Sequence, residues 1–243
     1  MTSSPPGRPT SGPRKLGILG GTFNPIHRCH LVLAREVRTR LALDEIVFIP
    51  TGDPPHKPDD HLASAEHRMA MVRLALEDVP GFTLSDIEVR RPGRSYSIDT
   101  LTALRHDLGA DTELFFCIGL DAFLDFESWR QPNDVLRTCN FVVVSRPGAR
   151  FESLSGLTIL RPLDRSRLQA LDAGRIDQLS LPLPSGRSLH LLTMTPCPVS
   201  ASTIRTRLGQ GLTVEGLLPP RVERYIIRTG LYQERPNPTR FEG

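Results

Sequence analysis

The chain has 243 residues, of which 39% are hydrophobic and 23% are charged. This composition supplies enough apolar surface for one sizeable core and excludes an intrinsically disordered chain. A formal net charge of +3 does not require a nucleic-acid partner, and no basic run is interleaved with aromatic residues. No segment has the length and apolar character of a transmembrane helix or a signal peptide. We therefore expect a cytoplasmic protein with neither a nucleic-acid nor a membrane partner.

The first 148 residues alternate between short apolar runs and segments of helical periodicity. The predicted strands are 15–21, 44–51, 82–89, 113–121 and 140–148. The predicted helices are 30–43, 64–79, 97–108 and 131–139. This alternation predicts an α/β fold with a doubly wound parallel sheet. Ligands of such sheets bind beyond the carboxyl ends of the strands.

The pattern weakens after Gly148. We interpret 165–179 as a helix, 181–188 as a turn-rich connection and 189–194 as a further strand. The last two predicted helices are 200–211 and 219–232. The first begins with hydroxyl residues, and the second has Pro residues at its start and Gly230 at its exit.

The domain limits follow from composition. Residues 1–13 are rich in Pro, Ser, Thr and Gly, which predicts a disordered leader. We expect one folded domain over 14–232, including a small C-terminal helical part at about 199–232, followed by a tail at 233–243.

The four cysteines are scattered, without a CxxC pair or a ligand cluster of zinc spacing. They are Cys29, Cys117, Cys139 and Cys197. In a core of this size we expect no disulfide framework, which makes a reducing compartment the default.

The first predicted strand ends in Gly20 and Gly21, within GGTFNPIHRCH at 20–30. Glycines let the backbone approach a ligand closely, and the following helix start can bind phosphate through its N–H groups. His27 and His30 are three residues apart, so on a helix they share one face. A metal pair is disfavoured because helical His ligands are normally four residues apart with a nearby carboxylate. We expect hydrogen bonds to phosphate oxygens and no protein-bound metal.

Two further stretches suit a nucleotide. Ser200 to Thr203 supply hydroxyls at a predicted helix start, and Arg205 lies one turn on, where a guanidinium can bind phosphate bidentately. Standing alone, this segment is better explained as a plain N-cap followed by a surface arginine. Gly119 and Asp121 end a buried strand, where a ribose would lie in such a sheet.

The 20–30 segment resembles the signature of the HxGH nucleotidyltransferase superfamily. Further stretches narrow the resemblance to the bacterial nicotinate-nucleotide adenylyltransferase family, over about residues 14 to 232. They are PTGDPPHK (50–57), RRPGRSYSIDTL (90–101), IGLDAFLDFESW (118–129), VVVSRPG (142–148), VSASTIRTRL (199–208) and YIIRTGLY (225–232). The resemblance implies a Rossmann-like nucleotidyltransferase fold and transfer of AMP from ATP to nicotinate mononucleotide, with release of pyrophosphate.

The resemblance also implies roles for individual residues. His27, His30 and Arg205 are expected to be catalytic. The expected ATP-binding residues are Gly20, Gly21, Thr22, Phe23, His27, His30, Gly119, Asp121, Ser202, Thr203 and Arg205. The expected residues of the mononucleotide site are Asn24, His56, Lys57, Ser97, Trp129 and Arg146. Mg²⁺ is expected to arrive with ATP, since it binds substrate phosphates without an all-protein cage.

Three features depart from the family pattern. The family usually has Asp where Asn24 stands and Gly where Cys29 stands. Cys29 is bulkier than Gly beside the expected ATP site, so it could change nucleotide fit. The region from about 161 to 187 is longer than in compact members of the family, and the sequence assigns it no role.

Other functions stay open at this point. A sister adenylyltransferase could use nicotinamide mononucleotide or phosphopantetheine, although GRSYSIDT (93–100) and Trp129 argue against the latter. A non-catalytic nucleotide sensor is the alternative from a different class, and Cys29 is its one sequence argument. The choice between nicotinate and nicotinamide, and the formation of a homo-oligomer, are not decided by the sequence.

Overall fold

A computed structural model describes residues 12–54, 62–160 and 163–233. Within these residues one seven-stranded sheet has helices on both faces. The strands are β1 (Arg14–Gly21), β2 (Glu45–Pro50), β3 (Phe82–Leu84), β4 (Thr112–Gly119), β5 (Asn140–Val144), β6 (Gln178–Pro182) and β7 (Ser188–Leu192). Their order is β3-β2-β1-β4-β5-β7-β6, and all neighbours are parallel except β6 and β7. The predicted doubly wound, mostly parallel sheet is confirmed.

The helices that follow the strands have the periodicity expected for one buried face. They are α1 (Arg28–Arg40), α2 (Ala65–Leu76), α3 (Ile87–Arg90), α4 (Ser97–Leu108), α5 (Leu120–Leu124), α6 (Pro132–Thr138), α7 (Arg165–Asp172), α8 (Ala201–Gly209) and α9 (Pro220–Thr229). In α1, Leu31, Ala34 and Val37 are buried, three residues apart as one helical face requires. The side chain of Ser64 caps α2, and Gly230 ends α9 in the left-handed conformation, as glycine readily does.

The sheet separates two cores. One face carries α4, α5 and α6 over an aromatic cluster in which Phe123, Phe126 and Phe141 are fully buried. The opposite face carries α1 and α2, and Ile204 and Ile226 of the C-terminal helices are buried in the same cluster. The Nδ1 atom of His67 and the hydroxyl of Tyr225 are 2.8 Å apart, which links α2 to α9. The C-terminal helices therefore share the core of the sheet domain.

Three predicted elements differ in the structure. The strand predicted at 82–89 stops at Leu84, and 87–90 form the short helix α3. The helix predicted at 165–179 ends at Asp172, because a turn at Gly174, which has a positive φ, leads into β6. Part of the turn-rich connection at 181–188 belongs to β6 and β7. The region from about 161 to 187 thus contains α7 and the antiparallel edge strand β6.

The order of the strands creates a crevice next to β1. From β1 the chain moves outward to β2 and β3, and it returns to the other side of β1 as β4. In the register, Leu19 of β1 lies beside Cys117 of β4, so the glycines that end both strands lie at the same edge. An edge of this kind is where doubly wound sheets bind nucleotides.

None of the helices in the described ranges is both long and apolar enough to span a membrane.

Candidate active site

The segment after β1 forms a tight loop that leads into α1. Phe23 has a positive φ of 47°, and the Asn24-Pro25 peptide bond is cis. The side-chain oxygen of Asn24 accepts hydrogen bonds from the backbone N–H of Ala63 at 3.0 Å and from the hydroxyl of Tyr232 at 2.7 Å. Asn24 is buried, so it holds the loop against two other segments. Its expected contact with the mononucleotide stays a prediction.

The two histidines form one unit at the start of α1. His27 is the N-cap, and its backbone N–H donates to Nδ1 of His30 at 3.1 Å. This bond makes Nδ1 of His30 the acceptor, so a neutral His30 carries its proton on Nε2. The rings are 3.8 Å apart between centroids, and Phe23 packs edge-on against His30. Among the described residues, the buried Nδ1 of His27 has no hydrogen-bond partner.

Burial and positive charge keep both imidazoles neutral. Burial, together with a smaller effect of the Arg146 guanidinium, lowers the pKa of His27 from 6.5 to about 4. Burial also holds the pKa of His30 well below its usual value, with added effects of His27 and Arg146. The structure therefore brings the predicted residues His27, His30 and Arg146 together. At neutral pH the histidines act as donors and acceptors rather than as fixed charges.

The second predicted phosphate-binding segment starts α8. The hydroxyl of Ser200 accepts the backbone N–H of Thr203 at 3.1 Å, and it also lies 3.0 Å from the hydroxyl of Ser202. Ser202 and Thr203 are exposed. Nη1 of Arg205 donates to the backbone carbonyl of Asn24 at 2.9 Å. Arg205 thus ties α8 to the loop that precedes the histidines.

A disulfide bond joins the same two segments. Cys29, between the histidines, is bonded to Cys197, which precedes the N-cap of α8, and their Cα atoms are 5.6 Å apart. The sequence predicts no disulfide framework, but the structure has this one bond, because the fold brings together residues 168 positions apart. Cys117 and Cys139 are free and buried.

At the end of β4, Gly119 makes room for a charged pair. A Cβ atom at Gly119 would collide with the carboxylate of Asp121 and with Nε of Arg146, so only glycine leaves both side chains in place. Nε of Arg146 lies 3.7 Å from the carboxylate of Asp121. Both side chains are partly exposed, which leaves them accessible to a ligand at this edge.

Ser97 and Trp129 are the described residues of the predicted pyridine pocket. Ser97 is the first residue of α4 and is half-buried. Trp129 is also half-buried, and its ring packs edge-on against Phe116 of β4. That Phe116 ring would be in ordinary contact with a Cβ at Gly20, so one aromatic ring separates Trp129 from the end of β1. His56 and Lys57 lie outside the described residues.

Arg68 of α2 is a site residue that sequence reasoning missed. Its guanidinium is 1% exposed and donates to the backbone carbonyls of Thr22, Thr51 and Gly52, at 2.9, 2.6 and 2.9 Å, and to that of Ala63. Thr22 lies in the loop after β1, and Thr51 and Gly52 lie after β2. One side chain thus joins loops at the ends of two neighbouring strands. The available signal was a charged residue on an otherwise apolar helix face.

Glu88 of α3 is a second charged residue that sequence reasoning missed. Its buried carboxylate accepts the hydroxyl of Thr100 at 2.8 Å, and burial raises its pKa. The neighbouring hydroxyl of Ser95 accepts the backbone N–H of Gly52 at 3.1 Å. These contacts connect the start of α4, where Ser97 lies, to the loop after β2.

Comparisons with known proteins match nearly the whole chain. A family model described as Cytidylyltransferase-like matches residues 18–207. A protein of Geotalea daltonii, described as a probable nicotinate-nucleotide adenylyltransferase, is 44% identical over 220 residues, which are 90% of this chain and 99% of the relative. A protein of Geobacter metallireducens with the same description is 43% identical over 218 residues, 90% of this chain and 98% of the relative.

Solved structures share the fold at low identity. The nicotinic acid mononucleotide adenylyltransferase of Plasmodium falciparum, complexed with NaAD, has a TM-score of 0.66 at 19% identity, and the match covers 90% of this chain and 97% of that one. The same protein complexed with APC has a TM-score of 0.64 at 18% identity, with the same coverage. These structures support the fold assignment.

We predict that Arg68→Ala lowers the free energy of unfolding by about 3 to 5 kcal/mol, because it leaves buried carbonyls without a donor. Arg68→Lys should recover only part of this, since an ammonium cannot reach four carbonyls as a guanidinium does. Urea denaturation measures both. Arg73→Ala, an exposed arginine of the same helix, is the control and should change stability by less than about 0.5 kcal/mol. A loss for Arg68→Ala no larger than for Arg73→Ala would contradict the assigned role.

We also predict that the free energy of unfolding depends on pH through His27 and His30. Because their pKa values are lower in the folded than in the unfolded state, the unfolded state binds more protons below pH 6.5. The contribution of neutral His27 to the free energy of unfolding is complete above pH 6.5 and is lost as the pH falls to about 4. Urea denaturation at several pH values should show a smaller loss for His27→Gln than for the wild-type protein.

The control for this pH series is His106→Ala, because the side chain of His106 is 87% exposed on α4. It should lose stability with falling pH as the wild-type protein does. Identical pH profiles for His27→Gln and the wild-type protein would show that His27 is not held neutral by the fold.

Proposed function

The chain belongs to the nicotinate-nucleotide adenylyltransferase family, and we propose that the segments around His27 and Arg205 form its triphosphate-binding clamp. The enzyme transfers the adenylyl group of ATP to nicotinate mononucleotide, forms nicotinate adenine dinucleotide and releases pyrophosphate. One observation carries the assignment of the site. Two helix starts suited to phosphate, at α1 and α8, are joined by the contact between Arg205 and Asn24 at the edge where β1 and β4 end.

In the proposed reaction, a phosphate oxygen of the mononucleotide attacks the α-phosphorus of ATP in line. A P–O bond forms at that phosphorus as the bond to the β-phosphate oxygen breaks, and the pyrophosphate carries the electron pair away. A phosphate dianion is already nucleophilic, so the protein has to position the reactants and stabilise charge. No covalent intermediate with the protein is needed.

The histidines and Arg205 supply the stabilisation. His30 is expected to donate from Nε2 to a phosphate oxygen, because the backbone N–H of His27 engages its Nδ1. The Nδ1 atom of His27 is buried and has no hydrogen-bond partner among the described residues. A ligand bound at the start of α1 would provide one. Arg205 and the hydroxyls of Ser202 and Thr203 are assigned to the β and γ phosphates.

Residues that follow β4 and β5, together with the start of α4, are assigned to the two nucleotides. Asp121 would accept ribose hydroxyls of ATP, and Gly119 keeps that carboxylate in place. Arg146, whose charge lowers the pKa of both histidines, is assigned to the phosphate of the mononucleotide. Ser97 and Trp129 are assigned to the pyridine end, with the ring of Trp129 exposed enough to stack.

We propose that Mg²⁺ enters as its complex with ATP. Within the described ranges, no three His, Cys, Asp or Glu side chains are grouped so that they could hold a metal ion. This fits an ion held by phosphate oxygens and water, the coordination that Mg²⁺ prefers at nucleotide sites. The ion would neutralise charge on the phosphates, which the neutral histidines do not do.

The reaction is tested by mixing the protein with ATP, Mg²⁺ and one acceptor and by measuring pyrophosphate release. Nicotinate mononucleotide should give release, and nicotinamide mononucleotide and phosphopantetheine serve as alternative acceptors. Release with phosphopantetheine alone would indicate the sister enzyme. ATP binding without release with any acceptor would indicate a nucleotide sensor.

We predict that His30→Ala lowers kcat by about 100- to 1,000-fold, the effect of removing one transition-state donor. KM for nicotinate mononucleotide should change much less, because the lost hydrogen bond forms to the transferring phosphate. Circular dichroism and thermal unfolding check that the variant is folded. The matched control is His106→Ala, which should retain wild-type turnover. A folded His30→Ala enzyme with wild-type kcat would remove His30 from the mechanism.

A further inference from the structure

The cystine formed by Cys29 and Cys197 lies between the two segments of the proposed clamp. Cys29 occupies the second position of α1, directly between His27 and His30. Cys197 lies three residues before Ser200, the N-cap of α8. The bond therefore fixes the distance between the two helix starts on which triphosphate binding depends.

Noncovalent contacts also join these two segments. Arg205 donates to the carbonyl of Asn24, and Ile204 and Ile26 are fully buried in the same core cluster. Breaking the bond should therefore loosen the spacing of the helix starts without unfolding the domain.

The two sulfur atoms differ in accessibility. Cys29 is only 8% exposed, whereas Cys197 is partly exposed. Cys197 is therefore the more accessible of the two to a small thiol from solvent. The other two cysteines are deeply buried, and burial raises the pKa of both Cys117 and Cys139 to about 12. Because the thiolate is the reactive form, these two thiols are inert to the same reagents.

We propose that Cys29 and Cys197 are a reversible thiol–disulfide site, whose oxidised form binds ATP more tightly than its reduced form. The ligand class is a low-molecular-weight thiol or disulfide. The physical reason is preorganisation, because a fixed distance between the helix starts removes part of the ordering that triphosphate binding otherwise requires. The functional consequence rests on the proposed ATP clamp.

Reduction of the cystine proceeds by thiol–disulfide exchange in two steps. The thiolate of a dithiol reductant attacks the Cys197 sulfur, the Cys29 sulfur leaves as a thiolate and takes up a proton, and a mixed disulfide forms at Cys197. The second thiol of the reductant then attacks this mixed disulfide, which frees Cys197 and oxidises the reductant to a cyclic disulfide. Two electrons pass from reductant to protein. A low-molecular-weight disulfide reverses the process and is itself reduced to two thiols.

The chemical part of the proposal is tested without any activity measurement. The full chain is treated with oxidised glutathione or with dithiothreitol, and solvent-reactive thiols are counted under native conditions. Dithiothreitol should expose the Cys197 thiol, and oxidised glutathione should remove it again. Peptide mapping of the oxidised protein should find Cys29 linked to Cys197. Absence of that linked peptide would overturn the proposal.

The functional part is tested by titrating MgATP into the oxidised and reduced proteins, without the mononucleotide, in a calorimeter. Reduction should raise the dissociation constant of ATP about threefold or more, with the circular dichroism unchanged. Cys197→Ser should match the reduced wild-type protein and should not respond to either reagent. Cys139→Ala, which removes a buried free thiol, should retain the full response; should it fail to fold, Cys117→Ala serves as the same control.

The outcomes separate this proposal from the proposed function. Equal affinity of the oxidised and reduced proteins, or tighter binding after reduction, would overturn the role of the cystine while turnover still established the enzyme. A redox response that persists in Cys197→Ser would overturn it as well. Loss of turnover in both redox states, with the affinity difference intact, would instead contradict the proposed function.

Discussion

The position of β1 beside β4 is the constraint on which the rest of the site depends. The chain moves outward from β1 on one side and returns on the other, so the helices after these two strands cover opposite faces of the sheet. A crevice remains where they diverge. Both strands end in glycine at this edge. The backbone can therefore approach a nucleotide, and the side chains that follow each glycine reach the same space.

Electrostatics within this crevice depend on burial more than on net charge. The two imidazoles are held neutral by desolvation and by a nearby guanidinium. Neutral imidazoles donate hydrogen bonds with a fixed tautomer, and in this chain the N-cap geometry of α1 sets that tautomer. Among the described residues, Arg146, after β5, and Arg205, on α8, bring permanent positive charge to this edge. Positive charge at the site thus comes from two separate elements, while the histidines provide hydrogen bonds of fixed direction.

The loops of the site are held by the protein's own polar groups. Arg68 satisfies four carbonyls beneath the loops after β1 and β2, and the amide oxygen of Asn24 accepts two donors from other segments. Buried polar groups of this kind rigidify loops when they are fully satisfied. Rigid loops suit a reaction whose rate depends on positioning rather than on a nucleophile of the protein.

The sequence by itself determined the alternation of strands and helices, the doubly wound sheet and the glycine-rich turn into a helix at 20–30, for which phosphate binding stays a prediction. These properties are local, because hydrophobic periodicity and glycine placement report on burial and backbone freedom within one element. It missed the short helix at 87–90 and part of the strand at 178–182, where turns and sheet pairing override the local pattern. The roles assigned to individual site residues remain predictions.

Only the tertiary structure decided which distant residues meet. Nothing in the spacing of Cys29 and Cys197 predicts a bond between them, and nothing near Arg68 in sequence shows which carbonyls it satisfies. Such contacts depend on the packing of elements separated by tens of residues or more. A local pattern shows that a side chain is buried, but the partner that makes its burial favourable comes from the assembled fold.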